Sequence, residues 1–489
     1  MNHRSTAAPN GSASGWRRLS VGVVGGGIGG MSTAISLRRA GHDVTVYERN
    51  DYAGEVGASV SCAANGTRWL HEWKVDLAKG NGVVLKRLIN RDWRTGDPVS
   101  IYELDDYVEK WHFPYYMFHR QHMHSMLMQC AFDEEGEGPV PVLKVNHACI
   151  TVNTETGTIA FGNGTTATHD LVIGADGIGS VVRRAIGLNP EKRPSDSSCL
   201  HANVTTEEAR ALGLVDYSLD SALEYWGGQE GKWDKIVLSP CNGGSLLSYY
   251  CFFSRSAGDY ASQSWGGQDR PVEELLAPYP ELDPQVKSHL AIGRDIQPWR
   301  LWIHEPYPFI TEKNKGTVAL LGDAAHPASH SSLPWRDVIL RKDDQSEQPL
   351  IREQMMPHQS QGACMAIEDA AALGIIFSRK HFRGDLRECL AVYEQVRLPR
   401  VTRVQAAAAK AASNINERIG FSSNTNTATY KVEDEKNKLT IEEMNAYDMY
   451  KDIEEVFAKR RQTEFVPRFI RGLPVGLKLP SGIVIGASA

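Results

Sequence analysis

The chain has 489 residues, too many for one ordinary domain at roughly 150 residues each. Hydrophobic residues make up 42% and charged residues 23%, globular proportions that argue against wholesale disorder. Lys and Arg number 53 against 59 Asp and Glu, a formal net charge of −6; this disfavours nonspecific nucleic-acid binding and attraction to an anionic membrane.

The first residues, 1–19, are rich in Ser, Ala, Gly and Asn and lack the apolar core of a secretory signal, so they read as a disordered leader. Nowhere does an uninterrupted apolar run reach the ~18 residues of a spanning helix. Eight cysteines are spread thinly with no CxxC pair. Free buried thiols in a reducing, cytoplasmic compartment follow from that spacing. His119, His122 and His124 cluster without a Cys or acidic partner at ligand spacing, so no metal is expected.

A short apolar run at 19–24 predicts a buried strand. It leads into Gly25-Gly26-Gly27-Ile28-Gly29-Gly30, which matches GxGxxG through Gly25, Gly27 and Gly30. A helix is predicted over 31–40, capped by Gly41, and a second strand over 44–47 ends at Glu48. Gly25 permits the tight turn, Gly27 lets the backbone approach a pyrophosphate, and Gly30 permits close packing. The helix start offers free N–H groups to phosphates, and Glu48 is placed to accept from ribose hydroxyls. This unit predicts a dinucleotide site and leaves NAD(P) and FAD both open.

Two later segments repeat the strand-into-acid pattern: Asp170 to Gly177, through Gly174-Ala175-Asp176-Gly177, and Val318 to Pro327, through Gly322-Asp323-Ala324-Ala325-His326-Pro327. Between them, 185–315 changes to strands and turns dense in aromatics, with Tyr225-Trp226 before Gly227-Gly228 and a run from 245 to 253. In this order the segments resemble the DG and GD motifs of class A flavoprotein aromatic monooxygenases, in the salicylate-hydroxylase-like branch and its fungal-type versions. Further matches to that family are Glu55-Val56-Gly57-Ala58, His119-Arg120 with Met123 and Leu127, Gln361-Gly362-Ala363 with Glu368-Asp369, and Tyr393-Glu394 with Arg397 and Arg400.

The resemblance implies an α/β fold. A Rossmann-like FAD-binding domain (20–184 and 316–405) would carry an inserted β-sheet substrate domain (185–315), followed by C-terminal helices and a tail (406–489). It implies bound FAD, NAD(P)H as a transient co-substrate and O2. The reaction would be hydroxylation of a small phenolic, aromatic-acid or polyketide substrate through a C4a-hydroperoxyflavin, with decarboxylation in some relatives and a setting in secondary metabolism. Carried over by position, Asp323 and Arg120 approach the ribityl or pyrophosphate region, and Asp176 belongs to the motif shared by FAD and NAD(P)H. Gly57 and Ala58 form a turn beside the flavin, while Pro327, Gly362 and Ala363 lie next to the isoalloxazine.

Phenol activation needs a base or hydrogen-bonding group. Candidates in the substrate domain are His201, Tyr225 and Tyr249, and sequence does not choose among them. Residues 328–354 are polar, charged and foreign to the family pattern. They read either as a surface loop or, the reading preferred here, as a gene-model artefact such as an unspliced intron. A flavin epoxidase or dearomatising oxygenase of a polyketide or terpenoid would share these motifs, and a catalytically idle FAD-binding protein is the third reading. Monomer and homodimer both remain open.

Overall fold

Val21, Val23 and Val24 are buried together with Leu171, Val172 and Ile173 and with Val318, Ala319 and Leu320, the composition of strands covered on both faces. They lie in one five-stranded sheet of order Val318–Leu320, Leu171–Gly174, Ser20–Val24, Asp43–Tyr47 and Val142–Lys144. Every pairing in it is parallel, with Val23 opposite both Val46 and Ile173. Parallel pairing demands crossovers that bring helices onto the sheet, and Ile28–Arg39 packs here against Gly362–Ile376, the Ser36 hydroxyl donating to the Ala370 carbonyl at 2.6 Å.

The computed structural model describes residues 15–51, 57–190, 193–194, 197–228, 234–254, 269–299, 302–303, 306–326, 359–424, 432 and 436–464. Most of the leader, Glu55, Val56, Pro327, the 328–354 segment and the C-terminal tail lie outside the described residues.

A second, seven-stranded sheet runs in the order Arg294–Trp299, Ser197–Thr205, Leu246–Ser254, Lys235–Cys241, Ala222–Gly227, Arg87–Arg91 and Pro98–Glu103. Its last two strands correct the sequence-based boundary. Arg87–Arg91 pairs parallel with Ala222–Gly227, Leu88 opposite Leu223, so residues before 185 complete the sheet expected only from 185–315. Side chains alternate across it. One face carries Tyr225, Val237 and Tyr250, which are cross-strand partners, and the other carries Trp226, Ile236 and Cys251 in a separate core.

Two further expectations are corrected. The end of the leader is docked: Trp16 stacks on His42 at 5.7 Å and Leu19 is fully buried, because an indole and a leucine leave water by packing on the fold. The 405/406 boundary falls inside a single helix, Leu386–Ser413, which carries Pro399 in its interior and starts on an Asp385 side-chain cap. Beyond it, the expected C-terminal helices include Ile441–Asn445 and Met449–Glu464. All eight cysteines are free thiols. Among the described residues no helix is long and apolar enough to cross a membrane.

Candidate functional site

The three strand-ending turns converge because their strands are neighbours in one parallel sheet and so end on the same edge. Gly25 has φ of +103°, and a Cβ on it would lie 2.3 Å from the Ala175 carbonyl oxygen. Leu321 N donates to Gly174 O at 3.0 Å, which joins the third turn to the second. Gly30 is tighter than Gly25: its Cβ would fall 1.9 Å from Gly25 O. Gly27, by contrast, faces open space, with nothing within 4 Å of an added Cβ.

That space is a cavity of about 400 Å³. Gly27, Arg120, Asp323, Gly362 and Ala363 line it at one end. The helices Ile28–Arg39 and Gly362–Ile376 both begin there, and neither has a side-chain cap or an acid in its first turn. Two uncapped helix N-termini present unpaired N–H groups and the positive ends of two dipoles. The open face of Gly27, these N-termini and Arg120 suit the anionic pyrophosphate of a dinucleotide. FAD therefore fits the residues present.

Asp323 borders the cavity and is exposed to it; desolvation by the surrounding protein raises its carboxyl above the usual range, opposed by His326, Arg120 and Arg183. Arg120 opens the helix Arg120–Phe132, its backbone N–H donating to Ala58 O at 2.8 Å. Ala58 lines the cavity. Gly57 packs so closely on His119 that a Cβ would lie 1.8 Å from Nε2.

Two expected ligand acids are otherwise engaged. Glu48 accepts from Gly26 N at 2.9 Å and Asn50 N at 3.0 Å, so its carboxylate braces the glycine turn and does not line the cavity. Asp176 accepts from Ser180 Oγ at 2.5 Å and Val181 N at 2.6 Å. It caps the helix Val181–Ala185, while its neighbours Ala175 and Gly177 form the cavity wall. Burial raises its carboxyl, opposed by those hydrogen bonds. His124 donates from Nε2 to Gly26 O at 2.6 Å, a second brace on the turn.

At its other end the cavity meets the seven-stranded sheet, through Leu223, Tyr225, Val237, Tyr250 and Phe252. The three candidate proton-handling residues separate here. Tyr225 lines the cavity, 2% exposed, and its hydroxyl has no formed hydrogen bond. Burial pushes its phenol up, opposed by the Arg418 charge. Tyr249 is excluded from the cavity: one residue from Tyr250, it points to the opposite face of the sheet and shares a hydrogen bond with His289 at 3.0 Å. His201 sits on the cavity side behind Tyr250, its Nε2 bonded with Ser248 Oγ at 2.8 Å, and is not part of the cavity wall. Desolvation, with a contribution from His119, takes its imidazole down to about 3, so it stays neutral near pH 7. Sequence reasoning missed Tyr250, whose hydroxyl donates to Ser59 O at 2.6 Å; alternation along the strand offers both tyrosines and does not say which faces inward.

Residues 20–107 match the FAD dependent oxidoreductase family model. The chain is 27% identical over 417 residues to hispidin-3-hydroxylase of Neonothopanus nambi, covering 79% of this chain and 87% of that protein. It is 28% identical over 406 residues to 3-amino-4-hydroxybenzoate 2-monooxygenase of Streptomyces cremeus, covering 82% and 88%. These relatives are FAD-dependent or aromatic-ring monooxygenases by name. The chain's fold agrees: a salicylate hydroxylase substrate complex superposes with a TM-score of 0.63 at 22% identity, over 90% of this chain and 98% of the other. CtdE with FAD and substrate 4 does so with a TM-score of 0.71 at 18% identity, over 91% and 100%. The family model that matches residues 20–107 is FAD dependent, and solved neighbours of this fold hold FAD. In this chain a single cavity joins the dinucleotide turn to the aromatic wall.

Proposed function

We propose that the protein uses NAD(P)H and O2 to hydroxylate a phenolic or aromatic-acid substrate held between the FAD end and the Tyr225–Tyr250 wall. The observation that carries this is the continuity of the cavity: Gly27, Arg120 and Asp323 line one end of the space whose other end is Tyr225, Val237 and Phe252. Bound FAD would supply the electron transfer from NAD(P)H to dioxygen, which side chains cannot perform.

The protein's part is binding, orientation and exclusion of water. The Gly27 turn, the two helix N-termini and Arg120 would hold the pyrophosphate and ribityl regions, with Asp323 accepting from ribitol hydroxyls. Gly57, Ala58, Gly362 and Ala363 would border the isoalloxazine, small residues that allow close approach. Leu223, Met117, Val237 and Phe252 give the substrate an apolar and dry enclosure. Tyr225, whose phenol burial keeps protonated near pH 7, would hold its proton at Oη and donate it to the oxygen of the substrate. That role favours Tyr225 over His201 and Tyr249 among the three candidates.

The test is NAD(P)H oxidation by the FAD-loaded protein across a panel of phenolic acids, with product masses. A product one oxygen heavier, or one oxygen heavier and one CO2 lighter, is expected from at least one acid. Flavin-loaded protein that no phenolic acid stimulates would sink the proposal.

A further inference from the structure

Arg418 is 1% exposed, and among the described residues no carboxylate pairs with it. Its guanidinium donates to the Ile419 carbonyl and, from Nη2, to Tyr115 Oη at 3.3 Å, while Nε has no partner. It lies 5.1 Å from the centre of the Tyr225 ring, beside the Tyr225 hydroxyl. Buried charges are ordinarily paired, because losing water is costly; this one is neighboured by two phenols instead.

Anchoring of the chain does not account for the charge. Ile415 N donates to Gly228 O at 2.9 Å, and Ile419 N to Gln359 Oε1 at 2.6 Å. The Gln359 amide donates in turn to Glu417 O at 2.9 Å and Ala407 O at 3.0 Å. A neutral side chain would leave all of these bonds in place. The neighbourhood moreover holds a second basic side chain. Lys235 alternates with Val237 and Ser239 on the cavity side of its strand, and desolvation together with the Arg418 charge takes its ammonium down to about 7.

A guanidinium has five donors and no acceptor. The Tyr225 oxygen can therefore only accept from Arg418, and its own proton must go elsewhere. The other group beside that hydroxyl is Ser360, itself on the cavity wall. We propose that Arg418 is a positioning residue for the reaction: it turns a Tyr225 lone pair toward itself and the Tyr225 proton into the cavity, where the proton is donated to the ionised oxygen of a phenolic substrate. The cation thus acts through the tyrosine to select phenolate over phenol. This deepens the proposed phenol hydroxylation and rests on it.

The test uses the FAD-loaded full chain and 4-nitrophenol, whose ionised form alone is yellow, so that the ionisation of the bound probe is read directly as pH is varied. The wild type is expected to lower the apparent pKa of the bound probe by about one unit, roughly a tenfold shift in the ionised-to-neutral ratio. Arg418→Met and Tyr225→Phe should each return it to the free value, Arg418→Lys should keep most of the shift, and the double variant should add nothing further. The proposal falls if the wild type takes up the probe only as the neutral phenol or not at all, if Arg418→Met with normal flavin content binds phenolate as the wild type does, or if the two effects simply add. Should Arg418→Met fail to fold, Tyr225→Phe decides alone: a bound probe ionised as in the wild type overturns the proposal. Because this measurement is made at equilibrium, its failure is distinct from the absence of substrate-stimulated NAD(P)H oxidation.

Discussion

Arg397 Nε lies 2.7 Å from Asp369 Oδ1, with both side chains fully buried. The other oxygen of Asp369 accepts from Gly322 N at 2.9 Å and meets His326 Nε2 at 2.5 Å. One carboxylate thus fastens the long helix Leu386–Ser413 to the turn that carries Asp323. Asp369→Asn removes the charge and leaves Arg397 with Glu368 as its remaining buried acid. Losing half of a buried pair should cost about 3 kcal/mol. Urea unfolding of the variant checks this, and an unchanged midpoint would count against it.

The same carboxylate sets an acid limit. Burial alone would raise the Asp369 pKa, but His326 and Arg397 outweigh it and hold it at about 2. The folded value is below the unfolded one, so the stabilisation is complete above about pH 4 and is lost as pH falls toward the folded value. Acid unfolding followed by tryptophan fluorescence should show the wild type losing stability steeply across that window. Asp369→Asn should lose less there; parallel curves would refute the assignment.

Gly27 and Gly30 should fail in different ways. Gly27 has φ of −72° and open space ahead of it, so Gly27→Ala should melt as the wild type apoprotein does. The new methyl projects into the cavity, and FAD affinity should fall at least tenfold, about 1.4 kcal/mol. Gly30→Ala drives a Cβ into Gly25 O and should destabilise the fold itself by roughly 1–3 kcal/mol. Apoprotein melting set beside flavin titration separates the two, and a Gly27→Ala protein that retains FAD normally would show that the pyrophosphate lies elsewhere.

Arg120 binds the fold by its backbone and faces the cavity with its side chain. Arg120→Ala should keep the helix start and weaken FAD by roughly tenfold or more, about 1.4 kcal/mol. Quenching of flavin fluorescence on binding measures it, and the loss should shrink at high salt if charge is the cause.

Tyr225→Phe should lower kcat for hydroxylation by about a hundredfold with flavin content unchanged. Tyr249→Phe should leave turnover near that of the wild type while costing about 1 kcal/mol, since the hydrogen bond with His289 is buried. Equal turnover in both variants would remove Tyr225 from the chemistry.

Much of the dinucleotide end is legible in the order of amino acids alone, because each of its parts is local. Gly25 and Asp323 sit just past a strand end and Gly30 in the first turn of the helix that follows Gly27, and strand, turn and helix start are encoded within a few residues. The acids read less well. Glu48 and Asp176 are in the expected turns, yet their oxygens serve backbone N–H groups, a choice made by neighbouring chain and not by spacing. The substrate end is harder again. Strands 87–91 and 98–103 fall within the stretch that reads as the first domain, and only pairing with Ala222–Gly227 assigns them to the sheet.

The sequence by itself determined that three strand-turn units exist, in this order, with residues suited to phosphate and flavin, since hydrophobic runs and glycine stereochemistry act over short stretches of chain. Only the tertiary structure decided that the units end on one sheet edge, that Tyr225 and Tyr250 face the cavity while Tyr249 turns away, and that Arg418 stands behind Tyr225. The physical reason is that a two-residue period fixes alternation but not its phase. The phase is chosen by which face of the strand finds partners, and some of those partners, such as Arg418 beside Tyr225, are distant along the chain.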